Sequence, residues 1–271
     1  MSAFPVIRDP DRVRRLLALP HVRPKAMEAL AQARVALVGL GGLGSGSAPY
    51  LAAAGVGTLV LVDPDRVAAT DLGRQILYTP DDVGAPKVAA AAARLRAMNP
   101  AVRIEARAEA VEADNVDALL AGCDVVLDGL DQGAPREVLN RYAVMRGVPL
   151  VFAGALGYEG QVMVVPGGGR PCLACLFGDL EGAVGDCATQ GVLGPLVGMV
   201  GALEAQEALK LLMGLGTPLA GRLWLYDAYT GDTRVVTVPP RPDCRVCGPS
   251  APARTPPGRN SAAASNPSPG R

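Results

Sequence analysis

The stretch V-A-L-V-G-L-G-G-L-G at residues 35–44 decides the fold of this chain. Its four leading residues predict a buried strand, and the six that follow fit the pattern G-x-G-x-x-G. The small residues from Ser45 to Ala54 predict a helix, which Gly55 closes. Glycines between a strand and a helix let the backbone approach a phosphate, to which the helix N-terminus presents unpaired N–H groups. We therefore predict a nucleotide-binding turn that contains Gly39, Gly41, Gly42 and Gly44.

An alternation of strands and helices follows this turn. Further strands are predicted at 58–62, 102–106, 125–127 and 150–153, with helices at 86–98, 115–120 and 135–146. Such alternation is typical of parallel βαβ units, so we expect an α/β fold with a Rossmann-like, doubly wound and mostly parallel sheet. After Gly154 the pattern changes to a strand at 157–165, a long helix at 192–213 and a hairpin at 222–238, which predicts a C-terminal antiparallel extension.

The composition divides the chain into three parts. Residues 1–33 are predicted to form an N-terminal helical segment, and residues 34–248 hold the expected nucleotide-binding domain. Residues 249–271 are mostly Pro, Ala, Ser, Gly and Arg. Such a composition offers almost no apolar surface to bury, so we expect a disordered tail.

The overall composition argues against several classes of protein. Of the 271 residues, 49% are apolar and 19% are charged, which excludes wholesale disorder. Lys+Arg and Asp+Glu balance at 26 each, so we expect neither nucleic acid nor an anionic membrane as a partner. His21 is the only histidine, which argues against a Ser-His-Asp triad or a His-rich metal site. Charges near the N-terminus argue against a signal peptide, and we expect a cytoplasmic protein.

Four of the six cysteines form two Cys-x-x-Cys pairs, Cys172/Cys175 and Cys244/Cys247. Two such pairs separated by a folded segment supply the four thiolates of a closed tetrahedral Zn²⁺ site, which is structural rather than catalytic. The alternative is a set of unligated thiols or a single redox pair. We predict the zinc site, because Pro171 and Gly248 give the pairs knuckle-like surroundings and a reducing compartment disfavours disulfides.

Four charged residues that follow the predicted nucleotide turn are candidate ligands of a nucleotide. Asp63 ends the second strand, where a carboxylate accepts hydrogen bonds from ribose hydroxyls, and this suits NAD as well as ATP. Arg74 and Lys87 come next, and they favour ATP because a triphosphate needs neutralising cations. Asp131 follows the fourth strand at the sheet edge where ligands bind, and it suits a Mg²⁺ ion on the phosphates.

In combination these motifs resemble the MoeB/ThiF/HesA family, the bacterial relatives of ubiquitin-activating enzymes. The resemblance runs from about Arg12 to Gly248. It rests on the glycine turn, the segments T-D-L-G-R-Q at 70–75 and G-A-P-K at 84–87, Asp128-x-x-Asp131, both Cys pairs and G-V-L-G-P-L-V-G at 191–198. It implies an adenylyltransferase that joins AMP to the C-terminal glycine of a small ubiquitin-fold sulfur carrier ending in Gly-Gly, in molybdopterin or thiamine biosynthesis.

The resemblance also implies roles for individual residues. Residues at the positions of Gly42, Asp63, Arg74, Lys87 and Asp131 contact ATP or its Mg²⁺ in the family. An N-terminal Arg reaches into the ATP site of the partner subunit, which assigns that role to Arg15 and implies a homodimer. In relatives that transfer sulfur, a cysteine at the position of Cys187 bonds covalently to the carrier, and a helix N-terminus favours its thiolate.

Two features depart from the family pattern. The family usually has Asn where this chain has Asp71, and a carboxylate there repels phosphate unless it points away or shares the metal. The N-terminal segment also lacks the usual Tyr and Gln around Arg15. Two other functions therefore stay open, an NAD-dependent Rossmann oxidoreductase and a non-catalytic, zinc-stapled protein that binds ATP. Neither the carrier nor the sulfur donor is readable from these motifs.

Overall fold

The computed structural model describes residues 11–178, 180 and 191–249. Its strands are β1 (Arg34–Val38), β2 (Thr58–Val62), β3 (Arg103–Arg107), β4 (Val125–Asp128), β5 (Leu150–Leu156), β6 (Glu159–Val165), β7 (Arg222–Asp227) and β8 (Thr233–Thr237). Its α-helices are α1 (Arg14–Leu17), α2 (Pro24–Gln32), α3 (Gly42–Ala54), α4 (Lys87–Met98), α5 (Val116–Leu119), α6 (Gly133–Arg146), α7 (Leu173–Phe177) and α8 (Gly194–Met213). Cys187 lies outside the described residues, and so does the predicted tail at 249–271 except for its first residue.

The eight strands form one sheet in the order β3-β2-β1-β4-β5-β6-β7-β8. The first five strands pair in parallel, and β5 to β8 pair antiparallel. The predicted α/β class, with a doubly wound, mostly parallel sheet and an antiparallel extension, is therefore confirmed. The chain winds outward in opposite directions from β1 and β4, so a crevice opens at the carboxyl ends of these two strands.

Both faces of the sheet are covered, as a parallel sheet requires. Val35 and Leu37 of β1 belong to the core beneath α2, α3, α4 and α8, whereas Ala36 and Val38 belong to the core beneath α5, α6 and α7. Successive side chains of a strand point to opposite faces, so a strand buried on both faces is a continuous apolar run. The V-A-L-V segment has this composition for that reason.

Several element boundaries differ from those predicted. Strand β5 continues to Leu156 instead of ending at 153, because it pairs with β6 as far as the Leu156↔Glu159 register position. The tight turn between these strands uses Gly157, whose φ of 57° is in the left-handed region that favours glycine. Within the described part of the predicted N-terminal helical segment, α1 is only four residues long.

The nucleotide-turn helix α3 begins at Gly42, three residues earlier than predicted, and lies directly against α8. A Cβ atom on Gly201 of α8 would lie 2.4 Å from the Leu43 carbonyl oxygen, and one on Gly46 would lie 3.0 Å from the Gly198 carbonyl oxygen. The backbones of the two helices therefore touch, which fixes the position of the glycine turn relative to α8. Among the residues described here, no helix combines the length and hydropathy needed to cross a bilayer.

Candidate functional site

A cavity of about 510 Å³ opens at the crevice between β1 and β4 and extends over the antiparallel strands. It brings together three of the predicted glycines and every predicted acidic or cationic ligand of the nucleotide except Arg15. These residues are Gly39, Gly41, Gly42, Asp63, Asp71, Arg74, Lys87 and Asp131. These residues are far apart in sequence but close in space, because the strands that precede them end at the same edge of the sheet.

The four glycines of the turn have different structural reasons for lacking a side chain. A Cβ atom on Gly39 would lie 2.7 Å from the carbonyl of Gly129, and one on Gly44 would lie 2.3 Å from the Gly39 carbonyl oxygen. A Cβ atom on Gly42 would meet the Val197 side chain at 2.4 Å. Gly41 is different, because its nearest such contact is 3.8 Å away and it faces the cavity. Three glycines therefore permit close packing, and Gly41 leaves room for a ligand.

Asp63 holds the glycine turn in place. One carboxylate oxygen accepts a hydrogen bond from the Leu40 N–H at 2.7 Å, and the other accepts one from the Asp65 N–H at 2.8 Å. Burial raises the pKa of Asp63, although these N–H groups and the Lys87 charge oppose the shift. Each oxygen keeps a second lone pair for a ligand on the cavity side.

Asp71, the residue that departs from the family pattern, is 7% exposed and bonded to its own surroundings. Its carboxylate accepts hydrogen bonds from the Ala68 N–H at 2.9 Å and from Gln75 Nε2 at 2.8 Å. Arg74 donates to it at 3.3 Å, and Lys87 Nζ lies 4.0 Å away. Asp71 thus anchors the two cations that the sequence assigned to phosphate.

The loop that carries Asp131 is shaped by a buried ion pair. Asp128, at the end of β4, accepts hydrogen bonds from the Leu130 N–H at 3.1 Å and from Arg136 Nε at 2.9 Å. Arg136 also donates to the Leu130 carbonyl oxygen and lies over the Phe152 ring. Within the described residues, no hydrogen bond engages the Asp131 carboxylate, which is exposed at the cavity.

Carboxylates outnumber cations in the cavity lining. The acidic residues are Asp63, Asp65, Asp71, Glu109, Asp131 and Glu159, and the basic residues are Arg74, Lys87 and Arg136. The Arg136 guanidinium is already paired with Asp128. A polyphosphate in this cavity would therefore need further positive charge, from a divalent ion or from another chain.

The second half of the cavity lies over β5, β6 and β7, and none of its residues was predicted from the sequence as a site residue. Gly154, Gln161 and Leu225 line it, and a Cβ atom on Gly154 would lie 3.0 Å from Gln161 Nε2. Gln161 lies opposite Gly154 in the β5–β6 register. The only sequence signal was the Gly-Gln pair at 160–161 inside a predicted strand, which carries no chemistry by itself.

One predicted catalytic residue does not line this cavity, and another lies outside the described residues. Arg15 is exposed on α1 and is absent from the cavity lining of this chain. Cys187 falls in the segment 181–190, outside the described residues. Cys123, the other cysteine outside the pairs, is 6% exposed in the core, where burial raises the pKa of its thiol to about 12.

The two Cys pairs meet, as predicted. Cys172 and Cys175 lie at the start of α7, and Cys244 and Cys247 follow β8. The Sγ atoms are 3.7 Å apart for Cys172 and Cys244 and 3.4 Å apart for Cys175 and Cys247, and all four lie within 4.8 Å of one another. Four thiolates about 2.3 Å from one Zn²⁺ ion have similar separations, so this cluster can hold zinc.

Polar groups favour the thiolate of Cys244, whereas burial raises the pKa of Cys172 to about 11. Although burial opposes the effect, the N–H groups of Cys247 and Val246 lower the pKa of Cys244 to about 7. The Arg241 N–H donates to Cys175 Sγ at 3.4 Å. Such N–H···S bonds compensate the negative charge of a metal-bound thiolate set.

Comparison with known proteins assigns this architecture to a family. The ThiF family profile matches residues 13–246. The sulfur carrier protein adenylyltransferase of Thermus thermophilus is 45% identical over 245 residues, which cover 88% of this chain and 90% of that protein.

Two proteins of Escherichia coli are similar to nearly the same extent. The sulfur carrier protein ThiS adenylyltransferase is 40% identical and covers 89% of this chain and 96% of its own length. The molybdopterin-synthase adenylyltransferase is 42% identical and covers 82% of this chain and 89% of its own length. Their names specify different carriers, so overall identity does not distinguish between these carriers for this chain.

The Cys cluster leads to a prediction about metal content. Purified protein should contain one Zn²⁺ per chain, and Cys247→Ser should remove most of it, because three thiolates leave the tetrahedron open. We expect the melting temperature to fall by about 5 °C or more, the shift that roughly 2 kcal/mol gives in a domain of this size. Elemental analysis and thermal unfolding measure both effects.

Cys123→Ala is the matched control, because it removes a buried cysteine outside the cluster and should leave the zinc content unchanged. Protein without zinc, in which all four clustered thiols react freely with a thiol reagent, would rule out the site.

Proposed function

Because the chain belongs to the ThiF family, we propose that it is an ATP-dependent adenylyltransferase that activates a small ubiquitin-fold sulfur-carrier protein ending in Gly-Gly. The observation that carries this proposal is the convergence of Gly41, Arg74, Lys87 and Asp131 on one cavity. The cavity also continues over β5 to β7, which leaves space for the end of a second polypeptide beside the nucleotide.

The proposed reaction needs no general base. The terminal carboxylate of the carrier has a pKa near about 3.5, so it is ionised at neutral pH and is itself the nucleophile. One of its oxygens bonds to the α-phosphorus of ATP, the bond from that phosphorus to the bridging oxygen breaks, and pyrophosphate leaves. The product is an acyl-adenylate. This chemistry agrees with a site that contains no histidine.

Catalysis then consists of positioning and charge stabilisation. The proposed ligand of Mg²⁺ is Asp131, whose exposed carboxylate faces the cavity without a hydrogen bond from any described residue. Bound Mg²⁺ supplies positive charge to the phosphates. Arg74 and Lys87, held by Asp71, would stabilise the departing pyrophosphate.

We further propose that a homodimer completes the site. The excess of carboxylates in the cavity leaves a polyphosphate short of cations, and Arg15 is exposed and absent from the cavity lining of its own chain. In the proposed dimer, Arg15 of one chain acts at the ATP of the other. Cys187 is the proposed site of a covalent bond to the carrier, in pathways where sulfur is transferred.

The carrier tail is proposed to lie over β5, β6 and β7. Gly154 provides a floor without a side chain there, and Gln161 offers both a donor and an acceptor to an extended backbone. The carrier would serve molybdopterin or thiamine biosynthesis. The zinc site would act at a distance from the chemistry, by tying the segment after β8 to α7.

Two other functions are less well supported. An NAD-dependent oxidoreductase would use the glycine turn and Asp63, but it has no need of Arg74, Lys87 and Asp131 together. A non-catalytic ATP-binding protein was suggested by Asp71, yet that carboxylate is directed to Ala68 and Gln75 and not left free to repel phosphate.

The first prediction from this proposal concerns Asp131. We expect exchange of pyrophosphate with ATP when a Gly-Gly carrier is present, and a loss of about a hundredfold or more in Asp131→Ala, because the charge on the leaving group is no longer compensated. Radiolabelled exchange measures it. Asp114→Ala is the control, since Asp114 is an exposed carboxylate outside the cavity lining.

Undiminished exchange in Asp131→Ala would remove Asp131 from the mechanism. ATP binding without any exchange, in the presence of several carriers, would favour the non-catalytic function instead.

The second prediction concerns Arg15. Arg15→Ala and Asp131→Ala should each be inactive alone, whereas a mixture that exchanges subunits should recover about a quarter of wild-type activity. Half of the dimers are then mixed, and each mixed dimer has one site with both residues intact. Native mass spectrometry verifies the exchange, and the exchange assay measures activity.

A mixture that stays inactive despite demonstrated subunit exchange would show that Arg15 acts within its own chain. Full activity of Arg15→Ala alone would remove Arg15 from the site.

A further inference from the structure

The long helix α8 contains a fully buried carboxyl group, that of Glu204, which none of the motifs identified. Its exposed fraction is 0%, and neither side-chain oxygen has a hydrogen-bond partner among the described residues. Burying an ionised carboxylate without compensation costs several kcal/mol or more, whereas a neutral carboxylic acid costs far less.

Glu207, one turn further along α8, provides a contrast within the same helix. It is equally buried at 1% exposed, but its oxygens accept hydrogen bonds from the Leu219 N–H at 2.6 Å and from Lys210 Nζ at 2.5 Å. The helix therefore compensates one buried carboxylate fully and leaves the other without a partner.

The surroundings of Glu204 connect it to both sides of the nucleotide cavity. Gly201, one turn before it, touches the backbone of α3, and the Ser47 hydroxyl of α3 lies close enough to lower the pKa of Glu204 without forming a hydrogen bond of ordinary geometry. Helix α8 also packs against strand β4, and the charges of Asp128 at the end of β4 and of Arg136 in α6 act on Glu204. Burial is the largest effect and raises the pKa well above its ordinary value, and the Asp128 charge raises it further.

These two are the charged groups that act on Glu204. Helix α3 and strand β5, which pack against α8, contain no Asp, Glu, Lys or Arg. Strand β6 has only Glu159, at its exposed end, and α2 has Lys25 and Glu28, none of which shifts the pKa of Glu204.

Asp128 and Arg136 together hold both backbone groups of Leu130, one residue before Asp131. Asp128 accepts from the Leu130 N–H, and Arg136 donates to the Leu130 carbonyl oxygen. A second ionised carboxylate beside them would repel Asp128 and compete for the single Arg136 guanidinium. That competition would loosen the loop that carries Asp131.

We propose that Glu204 is a positioning residue that stays protonated and therefore neutral. Because neutral Glu204 does not compete for the Arg136 guanidinium, Arg136 stays bonded to Asp128 and to Leu130. These bonds hold the Asp131 loop in place. The consequence for catalysis rests on the role proposed for Asp131. The protonation state itself does not, so the two are tested separately.

The experiment compares wild type with Glu204→Gln, an isosteric neutral variant, and with Glu207→Gln as the matched control. Difference infrared spectra at neutral pH should show the carbonyl band of a protonated carboxylic acid in wild type that is missing in Glu204→Gln and present in Glu207→Gln. This readout requires no activity, so failure of the proposed function leaves it intact.

Melting temperatures test independently whether folding raises or lowers the pKa of Glu204. A carboxyl group whose pKa is raised by folding contributes stability below its unfolded pKa of about 4.3, and that contribution is lost as the pH rises through the folded pKa. Glu204→Gln should therefore match wild type near pH 4 and become progressively more stable than wild type at higher pH. Glu207→Gln should be less stable than wild type at neutral pH, because it loses its pair with Lys210.

The positioning role is tested by the KM for MgATP. Across the pH range in which the infrared band disappears, the KM of wild type should rise by about tenfold relative to Glu204→Gln, as expected for the loss of one charge-assisted contact in the loop. A missing infrared band, or a Glu204→Gln variant with weakened MgATP binding at neutral pH, would overturn the proposal. Parallel KM profiles for both proteins would overturn the positioning role.

Discussion

The site depends on a contact between the backbones of Gly39 and Gly129, where β1 and β4 end side by side. The Gly129 N–H donates to the Val38 carbonyl oxygen at 2.9 Å, and the Gly39 N–H donates to the Val62 carbonyl oxygen at 2.9 Å. A Cβ atom on either glycine would collide with the other residue. This closeness brings the glycine turn and the loop of Asp131 into one cavity, although about ninety residues separate them in sequence.

The fold was largely predictable because each signal was local. The apolar V-A-L-V run, the glycine turn and the alternation of strands and helices each follow from neighbouring residues, and together they determine the parallel half of the sheet. The boundary of β5 was not predictable, since its last three residues are strand only because β6 pairs with them. The zinc-type cluster was predictable because two Cys-x-x-Cys pairs carry their own spacing.

The interior of the site was less predictable, since it depends on contacts between distant segments. In the sequence, Asp71 was predicted to repel phosphate unless it pointed away or shared the metal. In the structure, its carboxylate accepts hydrogen bonds from the Ala68 N–H and from Gln75 Nε2, which fix its position. Arg136 has no motif, and its importance appears only where it meets Asp128. Glu204 looked like one more polar residue on a long helix, and only the packing of α8 against α3 places it in a dry interior.

The electrostatics of the cavity connect these features to function. The lining is rich in carboxylates, and its three cations are held in fixed positions by Asp65, Asp71 and Asp128. A site of this kind is preorganised for phosphate but incomplete in charge, which agrees with a proposed reaction that requires Mg²⁺ and a partner chain. The most direct test of the proposed chemistry is intact-protein mass spectrometry of a Gly-Gly carrier after acid quenching of a reaction with ATP. A carrier heavier by one AMP is the predicted result, and an unmodified carrier in a reaction that has consumed ATP would contradict it.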